Sequence, residues 1–373
     1  MPPVIIDIRN SEDTRDVVHR AVQALVEGRL VALPTETVYG VAASAMSEEG
    51  VDRLVELKRR VGNPLALAIK GEEEALDYVP KLPALGRRLA RRCWPGPLTM
   101  VVDPGGSESL LSQLPESVQQ VVNPTGTIGL RVPAHPMVLD ILRMLVGPIA
   151  LTSANRRGQP EALTSQEVVE SLGDNVDLIL DDGRSRLGQP SSVVRVDEQK
   201  FEILREGVLP ERTLRRLASM VVLFVCTGNT CRSPMAEVIA RSLIAKRLNC
   251  SSEDLEDHGV LVTSAGLSAM MGSLASSDAV QVVKQFGLDL GNHESQPLTE
   301  QLVRQADVIF AMTKNHRDAI IMQWPEAANR TRLLCRNDRD VSDPIGGPVE
   351  IYQQCAAQIR EEIEAHIQDL DLG

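Results

Sequence analysis

Between residues 221 and 237 the chain reads V-V-L-F-V-C-T-G-N-T-C-R-S-P-M-A-E. An apolar run of strand-forming residues ends at Cys226, five residues follow, and Arg232 begins a segment whose Pro234 suits the first turn of a helix. The backbone N–H groups of residues 227–232 can then converge on one phosphate-sized anion, assisted by the positive end of the helix dipole. The stretch therefore predicts a strand, a phosphate-binding loop and a helix, in that order.

The residue types inside this loop suit a nucleophilic cysteine. Gly228 supplies backbone freedom, and Asn229 is one of the few non-glycine residue types that tolerate a positive φ. The convergent N–H groups favour the thiolate form of Cys226, which is the nucleophilic form. Arg232 offers two parallel hydrogen bonds to phosphoryl oxygens, which a lysine cannot reproduce. We therefore expect Cys226 to be a catalytic nucleophile and Arg232 to bind the phosphoryl group.

Strands and helices alternate along the remainder of the C-terminal half. This alternation predicts a doubly wound parallel sheet that carries the phosphate-binding loop. The predicted elements are strand 221–225, helix 233–247, strand 260–263, helix 275–286, helix 299–304, strand 307–311, helix 314–323, strand 331–335 and helix 348–369.

Residues 221–373 resemble the low-molecular-weight protein phosphatase family. Besides the loop, the resemblance rests on T-S-A-G at 263–266, A-D-V-I-F-A-M-T at 306–313, and Asp343-Pro344. It implies a phosphocysteine intermediate on Cys226 that water hydrolyses, without a cofactor. It also implies that Asp343 protonates the leaving group and then activates the water.

The same resemblance implies roles for other loop residues. Ser233 would hydrogen-bond the sulfur of Cys226, Asn229 would hold the shape of the loop, and Cys231 could form a protective disulfide with Cys226. The residues expected to surround the phosphate are Thr227, Gly228, Asn229, Thr230, Cys231 and Ser233.

Two features bear on the phosphorylated substrate. The sequence after Asp343 is P-I-G-G-P, without the aromatic residues usual in phosphotyrosine-specific relatives, and Thr230 stands where those relatives have a bulkier aliphatic residue. Both features resemble the protein-arginine-phosphatase branch, so phosphoarginine is favoured over phosphotyrosine in a phosphoprotein substrate. Arsenate reduction stays open as a rival chemistry, although it needs further cysteines to relay a disulfide, and the later ones (Cys250, Cys335 and Cys355) form no close pair.

The N-terminal half predicts a mixed α/β domain with a twisted sheet. A strand is expected at 29–33 before the turn-forming P-T-E-T, and a helix at 47–60, where apolar residues recur at helical spacing. Short apolar stretches follow at 65–69, 98–102, 128–132 and 148–151, and 193–205 contains two short strands.

Residues 12–210 resemble the YrdC-like threonylcarbamoyl-adenylate synthase family. The matching motifs, in chain order, are P-T-E-T-V-Y-G at 34–40, K-R-R at 58–60, P-G-P-L-T at 95–99, G-L-R-V-P at 129–133, T-S-A-N at 152–155, S-S-V-V at 191–194 and L-R-E-G at 204–207. The resemblance implies synthesis of threonylcarbamoyl-AMP from threonine, bicarbonate and ATP, with magnesium bound to the ATP. That product serves tRNA modification, so the tRNA-modification machinery and double-stranded RNA are implied partners.

The cations and hydroxyls of these motifs are the expected ligands of the substrates. The resemblance implies that Thr35, Arg131 and Ser191 face threonine. It places Lys58, Ser153 and Arg205 at the nucleotide. The full set expected to bind nucleotide or threonine is Thr35, Tyr39, Lys58, Arg60, Thr127, Arg131, Ser153, Asn155, Ser191 and Arg205.

One departure leaves an alternative open. Val61-Gly-Asn63 precedes Pro64, where the family usually has an additional proline and an additional cation. The N-terminal domain could therefore be a catalytically silent module that senses nucleotide or RNA and regulates a single phosphatase.

The size and composition of the chain limit which of these expectations are possible. At 373 residues it exceeds what one hydrophobic core usually supports, and we predict domains at 1–210 and 220–373 joined by a linker at 211–219. A net charge of −12 argues against a surface built for extended nucleic-acid contact. The absence of a signal-peptide pattern or a long apolar run, together with only six scattered cysteines, predicts a cytoplasmic protein without a membrane partner.

Overall fold

The structure is a computed structural model that describes residues 2–58 and 64–370. The chain forms two compact units, Met1–Leu217 and Ala218–Gly373. Much of the predicted linker is helical, and Leu214 on that helix is buried. The predicted domain limits themselves remain a prediction.

The first unit is built on a mixed sheet. The strands are β1 (Val4–Asp7), β2 (Val31–Leu33), β3 (Gly40–Ser44), β4 (Ala66–Ala68), β5 (Leu98–Val102), β6 (Ile128–Arg131), β7 (Ile149–Ser153), β8 (Leu178–Asp181), β9 (Ser192–Val196) and β10 (Phe201–Arg205). The helices are α1 (Thr14–Val26), α2 (Glu48–Lys58), α3 (Ala75–Tyr78), α4 (Ala84–Cys93), α5 (Glu116–Val122), α6 (Pro136–Met144), α7 (Ser165–Leu172) and α8 (Glu211–Ala218). Among the described residues the strand order is β1-β8-β2-β3-β7-β4-β6-β5-β9-β10, with both parallel and antiparallel neighbours.

This sheet confirms the predicted fold class, and it contains strands that the sequence patterns did not predict. β1, β3 and β8 are the additional strands. β3 has the sequence G-V-A-A-S, whose small residues have little intrinsic strand preference. It is a strand because it lies fully buried between β2 and β7, so pairing to its neighbours decides its conformation.

The second unit is a parallel sheet with helices on both faces, as predicted. The strands are β11 (Met220–Cys226), β12 (Val260–Gly266), β13 (Val308–Ala311) and β14 (Thr331–Leu333), in the order β12-β11-β13-β14. The helices are α9 (Arg232–Leu248), α10 (Ser277–Gln285), α11 (Glu300–Gln305), α12 (Lys314–Gln323) and α13 (Val349–Ile367).

The alternation of side chains along β11 builds both cores of this unit. Val222 and Phe224 pack with residues of α9, α10 and α13 on one face. Val221, Leu223 and Val225 pack with residues of α11 and α12 on the other. Because β11 is buried on both faces and ends at Cys226, the start of the loop is fixed at the carboxyl edge of the sheet, where ligands bind in open α/β sheets.

Candidate active sites

The loop after β11 closes tightly against β12. Cys226 pairs with Gly266 across the two strands. A Cβ atom at Gly266 would lie 2.5 Å from the carbonyl oxygen of Thr227 and 2.9 Å from the amide nitrogen of Asn229. Glycine is therefore required at residue 266, because the backbone of the loop passes too close for any side chain.

The sulfur of Cys226 faces the interior of this loop. The backbone N–H of Asn229 donates to Sγ at 3.3 Å, and the hydroxyl oxygen of Ser233 lies 3.0 Å from it. Cys226 is 3% exposed and Ser233 is fully buried. The N–H of Asn229 donates to the sulfur and the hydroxyl of Ser233 lies within hydrogen-bond distance of it, an arrangement that suits a thiolate.

Asn229 holds the loop in its turn. Its φ of 54° lies in the left-handed region. Its side-chain Nδ2 donates to the hydroxyls of Ser233 at 2.9 Å and Ser264 at 2.8 Å, while its side-chain Oδ1 accepts from the backbone N–H of Gln296 at 2.9 Å. The side chain is completely buried, so these three bonds join the loop to β12, α9 and the 296 segment.

Arg232 and Asp343 form an ion pair at the mouth of the loop. Nη2 of Arg232 lies 2.5 Å from Oδ2 of Asp343. The guanidinium also donates to the carbonyl oxygen of Val341 at 3.4 Å and to the hydroxyl oxygen of Thr227 at 3.5 Å. The arginine side chain is almost completely buried, whereas the carboxylate is 45% exposed. The predicted phosphate-binding cation and the predicted general acid are thus adjacent, although 111 residues separate them in sequence.

Cys231 lies beside the loop as a free thiol. Its Sγ is 3.3 Å from the hydroxyl of Ser276 and 3.6 Å from that of Tyr352. Cys226 is also a free thiol, so the disulfide between them stays a prediction. Burial raises the pKa of Cys355 to about 12, which keeps that thiol protonated.

The sequence patterns did not point to several residues that contact the loop. His316 lies 2.9 Å from the hydroxyl oxygen of Thr227 through Nε2, and burial together with Arg232 lowers its pKa to about 4. His293 lies 2.8 Å from the carbonyl oxygen of Asn229. The hydroxyl of Ser264 donates to Glu237, whose pKa is raised by burial. His293 and His316 lie more than 60 residues from the loop, and local spacing could not have revealed them.

The first unit contains a cavity of about 250 Å³ between its sheet and its loops. Six of the predicted site residues line it, together with hydrophobic residues of β4, β5 and β7. The six are Thr35, Tyr39, Arg131, Ser153, Ser191 and Arg205.

Arg131 is the buried cation of this cavity. Its Nη2 donates to Oε1 of Glu36 and to the hydroxyl oxygen of Thr37, both at 2.8 Å. Its Nε is buried and has no hydrogen-bond partner within the described residues. The backbone N–H of Ala134 donates to the second oxygen of Glu36 at 2.9 Å, which fixes that carboxylate. Arg131 therefore keeps one N–H donor that the described residues leave unused.

Ser191, which also lines the cavity, contacts two polar side chains. Arg205 donates to the carbonyl oxygen of Ser191 at 2.8 Å and to its hydroxyl at 3.2 Å, and the hydroxyl of Thr99 lies 3.0 Å from the same oxygen. These contacts hold the Arg205 guanidinium at the cavity wall.

Lys58 binds the end of β7 and the residues that follow it. Its Nζ donates to the carbonyl oxygens of Ser153 and Asn155 and to Oδ1 of Asn155. The hydroxyl of Ser153 also donates to that Oδ1, at 2.6 Å. The structure thus groups Lys58, Ser153 and Asn155, the first and third of which are buried.

Thr127 is not among the residues that line the cavity, and its hydroxyl lies 3.3 Å from that of Thr125. Tyr39 lines the cavity, and its hydroxyl donates to the carbonyl oxygen of Gly183 at 2.8 Å. Burial raises the pKa of Tyr39. Arg60 and residues 61–63, where the chain departs from the family pattern, lie outside the described residues.

In the described part of the chain, no group of three or more His, Cys, Asp or Glu side chains could hold a metal ion. None of its helices combines the length and apolarity needed to cross a bilayer.

Two protein-family models match the chain, one in each unit. The Sua5/YciO/YrdC model, described as "Telomere recombination", matches residues 23–207, and the model described as "Low molecular weight phosphotyrosine protein phosphatase" matches residues 221–372. The chain is therefore a fusion of domains from two families. Its first half belongs to the Sua5/YciO/YrdC family and its second half to the low-molecular-weight phosphatase family.

Individual relatives are similar to each half. The chain is 36% identical over 195 residues to a threonylcarbamoyl-AMP synthase of Pyrococcus abyssi, covering 51% of this chain and only 54% of that relative. It is 38% identical over 153 residues to a protein-arginine-phosphatase of Geobacillus stearothermophilus, covering 40% of this chain and 92% of that relative. A solved double variant of P. abyssi Sua5 matches with 26% identity and a TM-score of 0.51, covering 71% of this chain and 91% of that one.

The contacts of Asn229 generate a prediction about anion binding. Asn229→Ala removes three buried hydrogen bonds and leaves an alanine at a positive φ, so the loop loses its shape. We expect inorganic phosphate to bind the variant about 10-fold more weakly, as measured by isothermal titration calorimetry. Asn249→Ala is the matched control, since Asn249 has the same left-handed backbone at the end of α9. Equal phosphate affinities of the two variants would contradict the assignment.

Proposed function

We propose that the C-terminal unit is a protein phosphatase that acts through a phosphocysteine. The observation that carries this proposal is the grouping of Cys226, Arg232 and Asp343 around one loop. The Cys226 thiolate attacks phosphorus, and the bond from phosphorus to the leaving group breaks as Asp343 donates a proton to that group. Asp343 then takes a proton from water, which attacks the phosphocysteine and releases phosphate and the thiolate.

The Arg232–Asp343 ion pair sets the order of these events. A phosphoryl dianion that binds Arg232 competes with the carboxylate for the same guanidinium. The partly exposed Asp343 side chain can turn toward the leaving group once its partner is taken. The freed carboxylate takes a proton from solvent water, and Asp343 can then donate that proton to the leaving group.

Phosphoarginine is the proposed substrate. Thr230 lies half-buried on the loop next to Cys231, and Ile345, two residues after Asp343, is 69% exposed. Neither residue provides the aromatic wall that would stack on a phosphotyrosine ring. A small hydroxyl beside the loop leaves room for a planar guanidinium with several N–H donors. The arginine-phosphatase name of the Geobacillus relative supports the same choice.

Side-by-side hydrolysis of matched phosphoarginine and phosphotyrosine peptides tests this proposal. We expect the wild-type protein to prefer phosphoarginine, and Thr230→Ile to lower its kcat/KM for phosphoarginine by about 10-fold through steric exclusion while sparing phosphotyrosine. Cys226→Ser is expected to abolish phosphate release and to retain phosphate binding.

Three results would contradict parts of the proposal. Turnover by Cys226→Ser would refute the nucleophile. A wild-type preference for phosphotyrosine would refute the substrate and leave the phosphatase chemistry intact. Thioredoxin-dependent turnover of arsenate would identify a reductase instead.

We propose that the N-terminal unit makes threonylcarbamoyl-AMP from threonine, bicarbonate and ATP with magnesium. Threonine and bicarbonate combine to a carbamate with loss of water, a carbamate oxygen attacks the α-phosphorus of ATP, and pyrophosphate leaves. The cavity supports this proposal because two cationic side chains, Arg131 and Arg205, line it. The hydroxyls of Thr35, Ser153 and Ser191 provide neutral hydrogen bonds that orient the substrates. The product would enter tRNA modification in the cytoplasm.

Pyrophosphate release tests the synthase. We expect release that requires both threonine and bicarbonate, and Arg131→Met should lower it by about 10-fold or more because a buried charged donor is lost. Arg143→Met is the control, since Arg143 lies exposed on α6 and pairs only with the neighbouring turn. Release should persist in Cys226→Ser. No threonine-dependent release from wild-type protein would identify the silent-module alternative.

A further inference from the structure

A histidine on α12 contacts the phosphate-binding loop through a threonine hydroxyl. The Nε2 atom of His316 lies 2.9 Å from Oγ1 of Thr227, and its Nδ1 lies 2.8 Å from Oγ1 of Thr313. His316 is 7% exposed, whereas Thr227 is exposed at the mouth of the loop. The proposed catalytic steps assign no role to the side chain of His316 or of Thr227.

The hydrogen bonds of Thr313 favour one tautomer of His316. Thr313 caps α12, and its Oγ1 accepts the backbone N–H of His316 at 3.2 Å. Nδ1 of His316 lies within reach of the hydroxyl proton of Thr313. When this hydroxyl donates to Nδ1, the ring proton of His316 lies on Nε2. Burial and the Arg232 charge lower the pKa of His316 to about 4, so the ring is neutral at physiological pH and carries one proton.

Two donors consequently point at the oxygen of Thr227. Nε2–H of His316 is one, and Nη2 of Arg232, at 3.5 Å, is the weaker second. In this tautomer both lone pairs of the Thr227 oxygen are occupied, so its hydroxyl proton is not shared with His316 or Arg232. Thr227 is exposed at the mouth of the loop, where that proton is available to a ligand.

We propose that the Thr227 hydroxyl donates a hydrogen bond to the phosphoryl group during transfer, and that His316 is the positioning residue that fixes its direction. A donor held in place by the protein stabilises developing negative charge without reorganisation during the reaction. This inference rests on the proposed phosphatase function. It adds a side-chain donor to the backbone N–H groups of the loop.

Substitutions at Thr227 test the donor directly. Thr227→Val keeps the shape of the side chain and removes the hydroxyl, so we expect kcat/KM to fall by about 10-fold or more and inhibition by inorganic phosphate to weaken. Thr227→Ser keeps the hydroxyl and is expected to stay within about 3-fold of wild type. Because Thr227 is exposed, this pair remains informative even if substitutions at the buried His316 prevent folding. Equal activities of the valine and serine variants would overturn the proposal.

A double-mutant cycle tests the positioning role of His316. We expect His316→Leu to lower kcat/KM in the wild-type background and to have little further effect in Thr227→Val, because the histidine acts through that hydroxyl. His316→Gln, which retains a side-chain N–H donor, is expected to restore part of the activity lost in His316→Leu. Losses that multiply in the double variant would overturn the positioning role.

The wild-type protein and Cys226→Ser separate this inference from the proposed function. If wild-type protein releases no phosphate, or Cys226→Ser retains turnover, the phosphatase assignment fails. If both behave as expected and Thr227→Val matches wild type, only the Thr227–His316 inference fails.

Discussion

The turn that follows Cys226 is the constraint on which the phosphatase unit depends. A buried strand has to stop, reverse within five residues and begin a helix, while the backbone N–H of Asn229 faces the sulfur of Cys226. Buried hydrogen bonds of the Asn229 side chain stabilise this turn, and the absence of a side chain at Gly266 makes room for it. The position of the sulfur, the direction of the N–H groups and the start of α9 all follow from that turn.

In each of the two sites, one buried arginine has a carboxylate partner. Arg232 pairs with Asp343, and Arg131 pairs with Glu36. The consequences differ because Glu36 is buried and fixed by a backbone N–H, whereas Asp343 is partly exposed. We infer that Glu36 holds Arg131 in place throughout the reaction. Asp343, in contrast, can separate from Arg232 and take part in proton transfer.

The parts of the account that could be predicted from sequence are those encoded locally. The strand, loop and helix around Cys226 are contiguous, and the parallel sheet follows from alternation of elements. The role of β3 could not be predicted, because its small residues become a strand only between two partners. The contact of His316 with Thr227 spans 89 residues and depends on α12 starting at the same edge of the sheet as the loop. Thr127, which was expected to orient the substrates through its hydroxyl, is not among the residues that line the cavity. The roles of the individual site residues remain predictions.

The central claim is that the sulfur of Cys226 forms a covalent bond to phosphorus inside the loop. Rapid acid quenching of the protein during turnover of a phosphorylated peptide, followed by mass spectrometry of its fragments, measures this directly. The account predicts one phosphoryl group on the fragment that contains Cys226, and a larger labelled fraction when Asp343 is replaced by alanine, because hydrolysis of the intermediate slows. A phosphoryl group on another residue, or turnover without any labelled protein in both variants, would contradict it.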